Sequence, residues 1–418
     1  MGDVVVRGGV VVLAERAERL DVVAHDGVVV ALTPPGTVDT VGVEVVDADG
    51  LLVFPGAVDA HVHFDDPGRA DWEGFDHGSA AAAAGGVTTV VDMPIDSDPP
   101  TVTADAVRAK AAAARERSRV DVALWAGLTP RSVGDLAAMV EAGAVGFKAF
   151  ACPSGWDDFP PVDDASLAAG CAAAAAFDVP VAVHCEDRRL GSGPESEVAS
   201  VRWAATIASA AGARLHVVHA SACEAVDEAR RWPGVTVETC PHYLVLTDGD
   251  VRAIGATARC APPIRSAANR EGLWARLRGG DIDWIASDHS PCPPALRRGA
   301  HPWAGISGVQ LTLAVLLDAG LDRVRIAGLL TAAAAALRLP GKGPISVGND
   351  ADFALVDPDA SWGVEAKDLF DRHRASPFIG RALRGRVVRT LVRGRTVYDI
   401  EAGVCDAGGG RVVRPAQI

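Results

Sequence analysis

The sequence predicts an α/β architecture, a (β/α)8 barrel with a small β-sandwich built from both chain ends. Three observations lead there. Apolar strand-like runs alternate with Ala-rich helical stretches at a spacing of about 30 residues, the size of a βα unit. Eight such runs occur between residues 51 and 288. Short Val-rich runs of β texture stand at both ends of the chain.

Residues 1–54 form the first segment. Short apolar runs at 4–6, 10–13, 21–24 and 28–32 read as strands, and His25-Asp26-Gly27 reads as a hairpin turn. The barrel is expected over 55–345. Its strand candidates are 51–60, 87–93, 121–128, 144–150, 179–186, 214–221, 234–241 and 282–288. The segments 73–84, 102–117, 132–142, 163–176, 198–211, 222–231 and 268–278 read as helices. Eight alternating units argue for a closed, TIM-like barrel. From 346 to 418 the texture returns to β, at 352–356, 386–391 and 395–398, with 359–374 expected to be irregular or helical.

Hydrophobic residues make up 49% of the 418, enough for a large core. A formal charge of −14 argues against nucleic acid or an anionic membrane surface as partner. No stretch approaches a membrane span. Residues 1–13 lack a basic start followed by a long apolar run, so no secretory signal is expected. None of the eight cysteines forms a Cys-X-X-Cys pair, which fits free thiols in a reducing cytoplasm.

Barrels of this kind carry their chemistry at the C-terminal ends of the strands. The first run ends in His61 and His63, two apart and so on one side of a strand. The fourth ends in Lys148, the fifth in His184, the sixth in His219 and the eighth in Asp288. A lone strand-end histidine is more often a packed core residue, and a lone buried lysine an ion pair. Six such residues at the matching ends of five strands point instead to a metal site.

Lys148 is the odd member, because an ammonium has no lone pair to offer a cation. Its neutral amine can take up carbon dioxide as a carbamate, an anion whose two oxygens can bridge two metals. A metal pair about 3.5–4 Å apart can activate a shared water and polarise a carbonyl. Asp288 would bind one metal, accept the water's proton and deliver it to the leaving nitrogen.

The constellation resembles the amidohydrolase superfamily, in its cyclic-amide-hydrolase branch. That resemblance implies a binuclear centre held by His61, His63, a carboxylated Lys148, His184, His219 and Asp288. His216, three residues before His219, does not fit the ligand pattern and reads as packing or as a support to a ligand.

Within the branch the flanks most resemble allantoinases. The matching motifs are His61-Val-His-Phe-Asp-Asp-Pro-Gly-Arg-Ala-Asp-Trp-Glu-Gly-Phe75, Gly85-Gly-Val-Thr-Thr-Val-Val-Asp-Met-Pro94, Gly146-Phe-Lys-Ala-Phe150, Glu238-Thr-Cys-Pro-His-Tyr-Leu244, Cys260-Ala-Pro-Pro-Ile-Arg265, Ile285-Ala-Ser-Asp-His-Ser-Pro-Cys-Pro-Pro294 and Trp303-Ala-Gly-Ile-Ser-Gly-Val-Gln310. The resemblance implies hydrolysis of allantoin, a small neutral ring with a ureido arm, to allantoic acid. Dihydroorotase-like relatives carry an arginine two positions after the second histidine, and Asp65 stands there. Hydantoinases and dihydropyrimidinases, the alternative, carry a tyrosine shortly after the lysine, where this chain has Cys152 and Pro153. A non-catalytic scaffold would have lost ligands, and the set here is complete.

The resemblance also implies main-chain contacts to the ring near Ala261 and near Trp303 or Ala304. His242 either faces the pocket or supports it. Arg69, Asp71, Trp72 and Glu73 either border the site or cap the next helix. Zinc, cobalt, manganese and iron all suit the donor set. A homotetramer is implied by the resemblance alone. Two loops look short for the family, near 190–194 and near 298–302, and residues 331–337 lack the usual Asn-Pro-Ala lead-in.

Overall fold

The computed structural model describes residues 3–299 and 302–416. Eight parallel strands run in sequence order around one sheet: Ala57–Val62, Val87–Asp92, Asp121–Gly127, Ala144–Phe150, Val181–His184, Leu215–Val217, Val235–Thr239 and Trp284–Ile285. The eighth returns to the first through a bridge between Val62 and His289, where the His63 amide donates to the His289 carbonyl at 2.7 Å. The (β/α)8 barrel is therefore nearly closed, with the helix Arg323–Ala336 packed against its first and eighth strands.

Strand alternation divides the apolar residues between two cores. Val122, Leu124, Val181, Val183, Leu215 and Val217 pack with the surrounding helices. Ala123, Trp125, Ala182, Trp284 and Ala286 form an inner cluster, with the Trp125 indole N–H donating to the Ala60 carbonyl at 2.9 Å. Lys148, His184 and Glu238 stand on their strands in step with inner-facing residues, and Asp288 follows just beyond the end of the eighth. His61 and His63 get there differently. Val58 and Ala60 belong to the inner cluster, and the strand's register against its neighbour shifts between Asp59 and Val62. Such a bulge changes which side chains face inward.

The expected strand 51–60 is two strands. Leu52–Pro55 pairs with Phe353–Gly363 in a sheet outside the barrel, and only Ala57–Val62 enters it. The break falls at Pro55-Gly56, where the Gly56 backbone passes so close to Thr88 that a Cβ would lie 2.1 Å from its hydroxyl. The segment expected to be irregular from 359 begins as strand. Phe353–Gly363 runs on beside Ala382–Val392, with the Trp362 indole donating to the Gly385 carbonyl at 3.1 Å, before a short turn at Ala366–Asp368. The helix expected from 198 starts earlier, at Pro194, a residue suited to a first helical turn.

The chain ends build two further sheets. Val4–Arg7, Asp21–His25, Val28–Thr33 and Glu44–Asp47 form a four-stranded one. A seven-stranded sheet combines Val10–Val12, Ala17–Arg19 and Leu52–Pro55 with four strands from beyond residue 352. Val6, Val22, Val53, Phe353, Leu355 and Leu391 form their shared core. The expected hairpin is present, with positive φ at both Asp26 (48°) and Gly27 (84°), as a tight two-residue turn requires. No helix among the described residues is long and apolar enough to cross a membrane.

Candidate active site

The six side chains singled out at the strand ends come together at one end of the barrel. The rings of His61 and His63 lie 5.4 Å apart between centroids, and His61 lies 5.3 Å from His219. The Asp288 carboxylate sits 3.3 Å from His61 Nε2 and 3.5 Å from His63 Nε2. His184 Nδ1 and His219 Nε2 point at one another across 3.0 Å. The Lys148 amine is fully buried and has no hydrogen-bond partner among the described residues. Two of these residues are held in the left-handed backbone region, His219 at φ 39° and Asp288 at φ 47°. That conformation costs an L-residue about 1–2 kcal/mol and persists where the surroundings impose it.

The electrostatics follow from burial. Desolvation lowers the Lys148 pKa to about 8, against the opposing charges of Asp288 and Glu238. Burial would raise Asp288, but the charges of His61 and His63 and a hydrogen bond from His63 outweigh it and hold it at about 2. Burial also drives His219 well below its ordinary value, and the neighbouring His184 and Lys148 add to the effect. An unpartnered buried amine, two histidine nitrogens facing each other, and a carboxylate between two more histidines fit a divalent metal centre, whose ligands are neutral imidazoles and anions.

Carboxylates brace the histidines from behind, and reading the sequence for strand-end residues missed them. Glu238 Oε1 accepts from His61 Nδ1 at 2.7 Å, and Oε2 accepts from the Trp284 indole at 2.8 Å and lies 3.1 Å from His216 Nε2. His216 stacks on Trp284 at 4.2 Å, so it packs and supports as expected. Asp96 Oδ2 lies 2.9 Å from His63 Nδ1, and Glu186 accepts from His184 Nε2 at 2.8 Å. Asp59 accepts from the amides of His61 and Ser287, at 3.2 and 3.1 Å. The available signal was a charged residue inside an apolar strand run, as at Glu238, because a buried charge must be partnered.

A cavity of about 390 Å³ opens above the cluster, and Ala261, Trp303 and Ala304 line it. Asp96, Ser154, Arg188 and Ser290 line it too. Arg69 and His242 are not in its wall. The Arg69 guanidinium donates to the carbonyls of Asp96 and Ser97, each at 3.0 Å, and stacks on Trp156, so it braces the loop that carries Asp96. His242 is buried against Asp288. Glu73 does not cap the next helix with its side chain. It accepts from the Arg372 amide and faces His289 at 3.3 Å, tying down the segment that follows the eighth strand. Trp72 packs on Trp156 and Trp303 at the cavity rim.

The amidohydrolase family profile matches residues 52–397. The chain belongs to the amidohydrolase family. This amidohydrolase is 44% identical to an allantoinase of Rubrobacter xylanophilus over 447 aligned positions, covering 99% of this chain and 98% of that one. It is 42% identical to an allantoinase of Solibacter usitatus, covering 99% and 97%. An L-hydantoinase (dihydropyrimidinase) from Arthrobacter aurescens superposes with a TM-score of 0.93 at 30% identity, over 99% of this chain and all of that one. The 447 aligned positions exceed this chain's 418 residues, so the Rubrobacter protein carries segments that this amidohydrolase lacks. In the connection expected to be short, between His184 and His219, a turn at Arg188–Leu190 leads almost directly into the helix at Pro194. Of the other short loop, 298–302, residues 300 and 301 lie outside the described part.

Proposed function

We propose that this protein hydrolyses the ring amide of allantoin to allantoic acid, with two divalent metal ions held by His61, His63, Lys148, His184, His219 and Asp288. The observation that carries the reading is the convergence of those six side chains beneath one cavity, in a chain 44% identical to an allantoinase over nearly its whole length. Lys148 takes part as its carbamate, which the buried, unpartnered amine supports. Zinc is the first choice of metal, and cobalt, manganese and iron suit the same donors. When bound, the metal pair lowers the proton affinity of a water and polarises the ring carbonyl.

The residues divide the remaining work. Asp288 accepts the attacking water's proton and returns it to the departing ring nitrogen. Glu238, Asp96 and Glu186 fix the tautomers and tilts of His61, His63 and His184. The main chain near Ala261 and near Trp303 or Ala304 meets the ring's polar edge. A homotetramer in the cytoplasm is part of the same reading, and eight unbridged cysteines suit a reducing compartment.

A hydantoinase or dihydropyrimidinase activity is the second reading, favoured by the 0.93 TM-score with the Arthrobacter enzyme. Purified, metal-replete protein assayed with allantoin, hydantoin, 5,6-dihydrouracil and dihydroorotate separates the two. Turnover of allantoin above the others is expected. Turnover of another ring without allantoin would transfer the assignment to the second reading.

A further inference from the structure

The metal ligands lie on the cavity floor, so a ring whose amide reacts there must direct any exocyclic substituent at the walls. Arg188 contributes the one guanidinium among the described residues of those walls. It stands on the turn Arg188–Leu190, just beyond the fifth strand and within the short connection to Pro194. Its nearest carboxylate, Glu186, is already engaged by His184 at 2.8 Å and lies a long 4.0 Å from Arg188, and the Cys152 thiol is a further neighbour of the guanidinium. Two other side-chain donors near the cavity are committed. The Ser154 hydroxyl donates to the Phe159 carbonyl at 2.8 Å, and the Arg69 fork holds the carbonyls of Asp96 and Ser97. Arg188 also lines a second, adjoining cavity of about 560 Å³, which gives a substituent room beyond the ring site.

We propose that Arg188 is a specificity-determining residue that grips the exocyclic ureido arm of the substrate. A planar fork of N–H donors matches a urea carbonyl in shape and polarity, whereas a lysine ammonium supplies a point charge without the fork. The inference rests on the allantoin reading, since a bare hydantoin or dihydropyrimidine ring has no such arm. Its consequence is selective: loss of Arg188 weakens binding of the arm and leaves ring binding and chemistry in place.

The test compares wild type, Arg188→Ala and Arg188→Lys as metal-loaded protein. The KM and kcat for allantoin are measured, together with the inhibition constant of unsubstituted hydantoin against allantoin hydrolysis. In Arg188→Ala the KM for allantoin should rise by at least about tenfold, as loss of a hydrogen bond to a charged group gives. The kcat and the hydantoin inhibition constant should stay within about twofold of wild type, and Arg188→Lys should recover only part of the loss. An unchanged KM, or equal weakening of allantoin and hydantoin, would overturn the role of Arg188 while wild-type turnover keeps the allantoin reading intact. A wild type inert towards allantoin would instead overturn the reading and this inference with it.

Discussion

Glu238 and His61 meet at 2.7 Å in the barrel interior, each shut off from solvent, although 177 positions separate them in the chain. The carboxylate anchors Nδ1 and leaves Nε2 aimed at Asp288. Its other oxygen is held by the Trp284 indole. The orientation of the His61 ring is thus set by a residue on a different strand.

Replacing that carboxylate should cost metal affinity before it costs the fold. Glu238→Gln keeps the shape and removes the charge. Metal affinity or activity should fall by about 10–100-fold, as is usual when a ligand histidine loses its partner. Metal content after dialysis and kcat/KM report it, and wild-type values for both would show that Glu238 is dispensable.

Lys148 gives a sharper test. In Lys148→Ala metal and activity should disappear together, while circular dichroism stays that of wild type. Short carboxylic acids added to the variant should restore part of both, since a free carboxylate can stand where the carbamate would. Full activity in the unsupplemented variant would remove Lys148 from the centre.

A third expectation concerns stability away from the site. Lys342 reaches Asp121 at 2.6 Å and both Asp350 and Asp352 at 2.7 Å, joining the start of the third barrel strand to the seven-stranded sheet. Arg393 also pairs with Asp121. Burial opposes the charge on Asp121, but Lys342 and Arg393 outweigh it and depress its pKa. That contribution is present above about pH 4 and is lost as pH falls further. Burial likewise opposes the charge on Lys342, and the three aspartates overcome it and raise its pKa. Its contribution is full below about pH 10.4 and fades as pH rises beyond that. Asp352 works the other way, because burial raises its pKa despite Lys342. Lys342→Met should therefore lose about 3–5 kcal/mol at pH 7, the usual result of stranding buried charges. The deficit should shrink towards and below about pH 4, where the aspartates protonate. Thermal unfolding followed against pH measures this, and a deficit of constant size across that range would contradict it.

The sequence by itself determined the barrel and the six strand-end residues. Apolar runs of strand length, spaced by helices, leave few ways to bury their surface, and a parallel barrel then delivers every strand's C-terminal end to one face. His61, His63, Lys148, His184, His219 and Asp288 were therefore legible from position alone. Tertiary structure decided what stands behind and around them. Only the packed barrel pairs Glu238 with His61, Asp96 with His63 and Glu186 with His184, and only it turns Arg69 towards backbone carbonyls while leaving Arg188 on the cavity wall. It also split the first apolar run at Gly56 and shifted its register after Asp59. The physical reason is that local periodicity fixes which face a side chain takes. The partner it finds there depends on how separate elements, often more than a hundred residues apart, are pressed together.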